Sequence, residues 1–183
     1  MRHCKNCFSE KIVIFAPEYT AAVARKSFVI LFALLALCSC SKNDFKVWKN
    51  LNTDKIERIK ADSADYYKVS PSGVLYRVID SVYHTGYVPK PASSVRVKYT
   101  GWLIDGTKFE SSNDTAVWFY VGGQVQGWQE ALCMMTDGEH WRIYIPYDLG
   151  YGSAGSTGAD GNFLIPPYST LIFDLELVEV INN

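Results

Sequence analysis

Alternating apolar and polar residues predict that the second half of the chain is built from strands. Val95, Val97 and Tyr99 alternate with Arg96 and Lys98, which places the apolar side chains on one face of an extended segment. One buried face and one solvated face are typical of a strand in an antiparallel sheet. Further strands are predicted at residues 74–79, 117–121, 141–145 and 171–177.

A helical period interrupts this pattern directly after Gly127. The apolar positions of the predicted helix are Trp128, Ala131, Leu132 and Met135, which lie on one helical face. We expect Gly138 to stop the helix and Gly127 to let the chain come close to a neighbour. Strands around one short helix indicate an α+β fold, in which a twisted antiparallel sheet wraps around the helix.

Turn residues separate these elements. The segment Ile104-Asp105-Gly106-Thr107 predicts a tight hairpin turn. Residues 147–165 contain five glycines, and Pro166-Pro167 closes this segment. We interpret it as a long loop that interrupts the strands.

The beginning of the chain reads as an export signal rather than as part of the fold. Arg25 and Lys26 precede an apolar run at residues 28–37, which is followed by small residues. The run is too short to predict a membrane span. Residues 37–40, Leu-Cys-Ser-Cys, resemble the lipobox of bacterial lipoproteins. That resemblance implies that Cys40 is acylated and becomes the first residue of the mature protein; plain secretion or an uncleaved anchor are the alternatives.

This reading divides the chain into three parts. Residues 1–39 are the signal that is removed, residues 40–69 are a polar tether with a helix-compatible stretch at 54–64, and residues 70–183 are the folded domain. The stretch at 54–64 is too short for a sustained coiled coil, so we expect a monomer. A lipid on Cys40 predicts attachment at the periphery of a membrane.

The most informative feature of the composition, as far as function is concerned, is the number of aromatic residues. A net charge of −1 gives no reason to expect nucleic acid as a partner. The chain has 12 Tyr, 9 Phe and 5 Trp residues, which either fill a β-rich core or line an apolar binding site.

Side chains that carry covalent or metal chemistry are scattered. Cys4 and Cys7 have metal-like spacing beside His3, but a second pair of ligands is missing, so we predict neither a metal nor a cofactor. Cys133 falls within the predicted helix and is interpreted as a small core residue. His84 and His140 lie near no serine or cysteine motif that predicts a nucleophile.

Five motifs, in order from about Ser72 to Val180, resemble the FKBP-type peptidyl-prolyl cis-trans isomerases. They are Val-Arg-Val-Lys-Tyr-Thr-Gly from 95, Asp-Gly-Thr-Lys-Phe-Glu-Ser-Ser from 105, Gly-Trp-Gln-Glu-Ala-Leu from 127, Tyr-Gly at 151 and Ile-Pro-Pro-Tyr-Ser-Thr-Leu-Ile-Phe-Asp-Leu-Glu-Leu from 165. The resemblance implies rotation of the peptide bond before proline, assisting the folding of exported proteins. An apolar pocket lowers that barrier by binding the twisted amide, whose carbonyl is less polar than that of the planar form.

The resemblance also implies the residues of the site, by position. They are Tyr99, Phe109, Glu110, Val125, Trp128, Tyr151 and Phe173. Trp128 would lie under the proline ring, Tyr99, Phe109 and Phe173 would form walls, and Glu110 would accept a hydrogen bond from Tyr99. The Val125 N–H and the Tyr151 hydroxyl would bind substrate carbonyls. From the pattern alone, the three wall residues are equally well explained as core.

Three positions depart from the family pattern and leave alternatives open. Glu110 stands where the family usually has Asp, and Val117 and Gln124 stand where larger or apolar residues are usual. A module that binds proline segments without turnover, or an envelope lipoprotein that keeps only the fold, are the competing hypotheses. The expected partners are proline-containing polypeptides of the cell envelope and macrolide inhibitors, with the outer membrane as the expected location.

Overall fold

The computed structural model describes residues 42–62, 66–82 and 86–182. Cys40, the signal at residues 1–39 and the cysteines near His3 lie outside these ranges. The helices and strands are α1 Lys42–Asp62, β1 Lys68–Val69, β2 Leu75–Ser81, β3 Ser94–Leu103, β4 Lys108–Ser111, β5 Val117–Tyr120, α2 Gln126–Met134, β6 Glu139–Ile145, β7 Ser156–Thr157, β8 Phe163–Ile165 and β9 Leu171–Ile181, with 3-10 turns at Val121–Gly123 and Tyr147–Leu149.

An antiparallel sheet is the main layer of the molecule. Its strand order is β1-β2-β6-β9-β3-β4, and β5 also pairs with β3. Strand β3 therefore lies between β9 on one side and both β4 and β5 on the other. β4 pairs with the end of β3 and β5 with its beginning. The short pair of β7 and β8 forms a separate hairpin inside the long glycine-rich loop.

The predicted alternation is confirmed along β3. Val95 and Val97 are fully buried, while the outward-facing Lys98 lies 3.1 Å from the Glu176 carboxylate on β9. Such half-exposed ion pairs contribute little stability, so the buried face dominates. Strand β6, and β9 as far as Leu177, alternate in the same way, with every second residue buried. The α+β fold predicted from the sequence is thereby confirmed.

The alternation predicted for residues 74–79 is wrong, because Leu75, which should face away from Val74, is also fully buried. Val74 is fully buried, and Tyr76 stacks on Trp141 with ring centroids 4.5 Å apart. Val78, predicted on the same face, is 40% exposed. Strand β1 pairs with β2 only at Leu75 and Tyr76. Val78 therefore lies where β2 is the open edge of the sheet, before the register shift with β6 between Val78 and Asp80.

Helix α2 packs its predicted apolar face on the sheet. Trp128, Ala131 and Leu132 are buried within it. Gly127 makes the close approach possible, because a Cβ at this position would lie 2.4 Å from the Ile145 Cγ2 on β6. The helix ends at Met134, earlier than the predicted stop at Gly138. Gly138 instead takes φ +85° in the turn before β6.

Helix α1 is longer than the sequence analysis proposed. It covers most of the segment interpreted as a tether, and its inward residues are Phe45, Trp48, Asn52 and Ile56. These residues recur every three or four positions, but only Ile56 falls within the stretch at 54–64 that was interpreted as helix-compatible. Because Trp48 and Asn52 lie on the packed face, the helical spacing of its inward residues was not recognised as an apolar pattern. Within the described ranges, neither helix combines the length and the apolar character needed to cross a membrane.

Candidate active site

Trp128 forms the bottom of a cluster of aromatic rings. Its indole is 4% exposed and makes edge-on contacts with Tyr99 at 5.2 Å and with Phe173 at 5.2 Å between centroids. Phe119 contacts the same indole at 5.6 Å. Edge-to-face pairs of this kind are favourable beyond the area that they bury. The rings therefore hold one another in a fixed arrangement above the first turn of α2.

A hollow of about 290 Å³ opens above this indole. It is lined by Tyr99, Glu110, Phe119, Gly123, Gln124, Val125, Trp128, Tyr151 and Phe173. Six of the seven predicted site residues are in this lining. Strands β3, β4, β5 and β9, the start of α2 and the glycine-rich loop all contribute to it, so residues distant in sequence meet at one place.

Phe109 is the predicted site residue that does not line the hollow. Its ring lies behind Phe173, edge-on at 5.5 Å. Both rings also crowd Gly101, where a Cβ would lie 2.7 Å from an atom of each. Phe109 therefore supports the wall made by Phe173 instead of forming a wall itself.

Phe119 is a wall residue that the sequence analysis missed. It lies on β5, opposite Val95 of β3, and its ring contacts Tyr99 at 5.7 Å. Its neighbours Trp118 and Tyr120 are exposed. Alternation does place Phe119 on the opposite face from these two aromatics. In a strand of three consecutive aromatic residues, however, the sequence does not indicate which face is inward.

Glu110 accepts the hydrogen bond expected of it despite its longer side chain. The Tyr99 hydroxyl donates to the Glu110 Oε1 over 2.8 Å. Burial, followed by this bond, raises the pKa of Tyr99 above its ordinary value. The phenol therefore remains protonated and able to donate at physiological pH.

Tyr151 enters the hollow from the glycine-rich loop. Its side chain is 39% exposed, and burial of the remainder followed by the nearby Glu110 charge raises the pKa of its hydroxyl. The hydroxyl remains a neutral donor for this reason. Neither this hydroxyl nor the Val125 N–H donates a hydrogen bond to any group in the part of the chain that the structure describes. The hollow thus presents two donors, one on each of two different elements.

The remaining departures from the family pattern have different positions. Gln124 lines the hollow, but its side-chain amide donates to the Tyr120 carbonyl over 3.2 Å, and its own carbonyl accepts from the Gln129 side chain. Val117 lies exposed on β5, outside the lining. Of these two residues, only Gln124 therefore changes the surface that a ligand would meet.

Cys133, on α2, is not part of the lining of the hollow. Burial raises the pKa of the Cys133 thiol, which disfavours the reactive thiolate. Within residues 42–62, 66–82 and 86–182, no group of three His, Cys, Asp or Glu side chains is placed to hold a metal ion. What the hollow offers is a set of aromatic surfaces with a few fixed hydrogen-bond donors.

Solved isomerases share this fold. The crystal structure of a peptidyl-prolyl cis-trans isomerase from Pseudomonas syringae superposes with a TM-score of 0.65 at 31% identity, covering 75% of this chain and 96% of that one. The crystal structure of FkpA from Escherichia coli gives a TM-score of 0.65 at 29% identity, covering 89% of this chain and 74% of that one. The fold is that of an α+β peptidyl-prolyl isomerase.

The family follows from the sequence match. The family model described as FKBP-type peptidyl-prolyl cis-trans isomerase matches residues 86–178, and the chain belongs to this family. It is 45% identical over 112 residues to the FKBP-type 22 kDa isomerase of Escherichia coli, covering 60% of this chain and 51% of that protein. It is 40% identical over 114 residues to the outer membrane protein MIP of Legionella longbeachae, covering 61% and 46%. The match thus spans about half the length of these relatives.

Proposed function

We propose that this chain is a peptidyl-prolyl cis-trans isomerase that rotates X–Pro bonds inside the aromatic hollow. The observation that carries the proposal is the joint lining of one hollow by Trp128, Tyr99 and Phe173 together with Val125 and Tyr151, which carry hydrogen-bond donors. A prolyl ring is apolar and its neighbouring carbonyls are acceptors. The hollow offers a matching surface for both.

The reaction makes and breaks no covalent bond. Rotation about an amide breaks its resonance, and the barrier is about 18–20 kcal/mol. The twisted amide has a less polar carbonyl than the planar one, so an apolar surrounding disfavours it less. A site that binds the twisted form more tightly than either planar form lowers the barrier by that difference. Each tenfold acceleration needs about 1.4 kcal/mol of such preference.

The residues divide this task between them. The Trp128 indole lies under the proline ring, and Tyr99, Phe119 and Phe173 surround it. The Val125 N–H and the Tyr151 hydroxyl bind carbonyls on the two sides of the rotating bond. Fixing the flanking chain while leaving the amide in an apolar space favours rotation over dissociation.

The experiment is catalysed exchange of an X–Pro peptide by substoichiometric protein, with Tyr151→Phe as the test variant. Losing one neutral hydrogen bond made in the transition state costs about 0.5–1.5 kcal/mol, so kcat/KM should fall roughly two- to tenfold. Tyr120→Phe is the matched control, because its phenol is exposed outside the hollow. Equal rates for Tyr151→Phe and wild type would remove Tyr151 from the site.

A binding module without turnover is the second candidate, and Gln124 is the observation that favours it. This residue puts a polar side chain into the lining. Of the other two grounds for this candidate, Glu110 makes its expected bond and Val117 lies away from the hollow. Saturable peptide binding with no catalysed exchange would identify the module.

Partners and location follow from the relatives and from the lipobox. Relatives named FK506-binding protein, from Neisseria meningitidis at 42% identity, support a macrolide as an inhibitor of this chain. The Legionella relative is named as an outer membrane protein. This name supports a role for the present chain in the folding of exported proteins in the cell envelope.

We further propose that Cys40 carries the lipid that anchors the chain at the membrane periphery, with residues 1–39 removed and residues 70–183 as the isomerase domain. A radioactive fatty acid supplied to expressing cells should label the wild type and not Cys40→Ser. Labelling that survives the substitution would place the lipid elsewhere.

A further inference from the structure

We propose that helix α1 is a clamp that holds the loop bearing Tyr151 in place, with Asn52 and Trp48 as positioning residues of the isomerase site. The inference rests on the proposed function. It goes beyond the family, because α1 lies outside the matched residues 86–178.

Asn52 joins α1 to the beginning of β9. Its side chain is 0% exposed, and its Oδ1 accepts a hydrogen bond from the Thr170 N–H over 2.7 Å. Its Nδ2 donates to the Trp48 carbonyl over 2.8 Å. Both ends of the amide are therefore used. A buried polar side chain with these partners specifies one position of the helix on the domain, since any slip leaves a buried N–H without an acceptor.

Trp48 extends this contact to the proline pair. Its indole Nε1 donates to the Ser169 Oγ over 2.9 Å, and the same hydroxyl donates to the Pro166 carbonyl over 2.7 Å. The Lys49 ammonium lies 4.8 Å from the ring centroid of Tyr168 and 5.3 Å from that of Tyr147. Helix α1 thus touches residues 168–170 at the end of the loop and Tyr147 at its start.

Tyr151 lies between these two held ends, and its neighbour Gly152 is hydrogen-bonded to both. The Gly152 N–H donates to the Tyr147 carbonyl over 2.8 Å, and the Tyr168 N–H donates to the Gly152 carbonyl over 2.9 Å. The Gly155 N–H donates to the Tyr151 carbonyl over 3.1 Å. Tyr168 also has φ +62°, a conformation that a non-glycine residue keeps only when its surroundings hold it. Loosening α1 should therefore release the Tyr151 hydroxyl from its place in the hollow.

The test is a double-mutant cycle between Asn52→Ala and Tyr151→Phe. If α1 acts through Tyr151, Asn52→Ala should lower kcat/KM at least about threefold in the wild type. In the Tyr151→Phe background it should change kcat/KM by less than about twofold, because the group it positions is already gone. The two losses multiplying in the double variant would overturn the proposal. Leu51→Ala is the control on the same helix, since Leu51 is 47% exposed and faces away from the loop.

Amide hydrogen exchange measures how firmly α1 holds the loop, and the measurement does not depend on isomerase activity. Exchange at Gly152, Gly155 and Tyr168 should accelerate in Asn52→Ala and stay at the wild-type rate in Leu51→Ala. Trp48→Phe keeps an aromatic ring but loses the bond to Ser169, so it should accelerate the same amides even if Asn52→Ala folds poorly. Unchanged exchange at these amides in Trp48→Phe would overturn the clamp. A wild type that does not catalyse cis-trans exchange of the peptide would overturn the proposed function. The rates of amide hydrogen exchange would still show whether α1 holds the loop in place.

Discussion

Trp128→Ala is expected to lower the free energy of unfolding by about 3–5 kcal/mol, the usual range for removing a buried tryptophan, and to abolish catalysed proline exchange. Trp128 is at once the bottom of the hollow and a member of the hydrophobic core. The substitution therefore leaves a cavity in the core and removes the surface on which a proline ring would rest. Urea denaturation and the exchange assay measure the two losses separately.

Two variants separate the loss of packing from the loss of the site. Trp118→Ala removes the same side chain from β5, where it is 45% exposed, and should change both measurements little. Trp128→Phe retains a ring and should recover most of the stability but only part of the activity. A stable Trp128→Ala protein with wild-type exchange would show that the reaction occurs elsewhere.

Gly155→Ala is expected to be nearly as damaging, although it adds only one methyl group. A Cβ at Gly155 would lie 2.4 Å from the Ile165 carbonyl oxygen and 2.8 Å from the Pro167 nitrogen. Both are backbone atoms, so no side chain can rotate away. The residue also has φ +69°, which costs a residue with a Cβ about 1–2 kcal/mol. With about 1–3 kcal/mol for overpacking, the unfolding free energy should fall by about 2–5 kcal/mol.

Gly161→Ala is the matched control for this prediction. Gly161 lies in the same loop at φ +76°, but nothing lies within 4 Å of the position of its Cβ. It should therefore show the conformational cost without the clash. Denaturation midpoints of the two variants give the cost of the close approach by difference. Equal midpoints would mean that the loop has room at Gly155 that the structure does not show.

Period-two alternation predicted the sheet well because one face of each long strand is buried. In β3, β6 and β9 that requirement leaves a clear mark: residues such as Val97, Ile143 and Leu175 are fully buried and alternate with charged or polar neighbours. The helix behind Trp128 was equally readable, since its apolar residues pack on the sheet at helical spacing. Burial of one face of a strand or helix therefore produces the clearest pattern in the sequence.

The parts that were missed depend on partners distant in the chain. Helix α1 packs through Trp48 and the polar Asn52, and Asn52 bonds to a backbone group 118 residues away. An apolar period does not reveal such a contact. Phe119 lines the hollow although no role was predicted for it, and Phe109 does not line it although a wall was predicted there, for a similar reason. Which of two aromatic residues faces the hollow depends on how β4 and β5 share the edge of β3.

The central claim is that one aromatic hollow, with Trp128 at its base, both binds a prolyl peptide and speeds its rotation. Two-dimensional exchange NMR on an X–Pro peptide with substoichiometric protein tests this directly, with the Trp128 indole N–H followed in the same titration. We expect cross-peaks between the cis and trans forms, together with a shift of that indole resonance that saturates as peptide is added. Saturation of the indole shift without cross-peaks, or cross-peaks with no change at Trp128, would contradict the claim that this hollow both binds and isomerises the peptide.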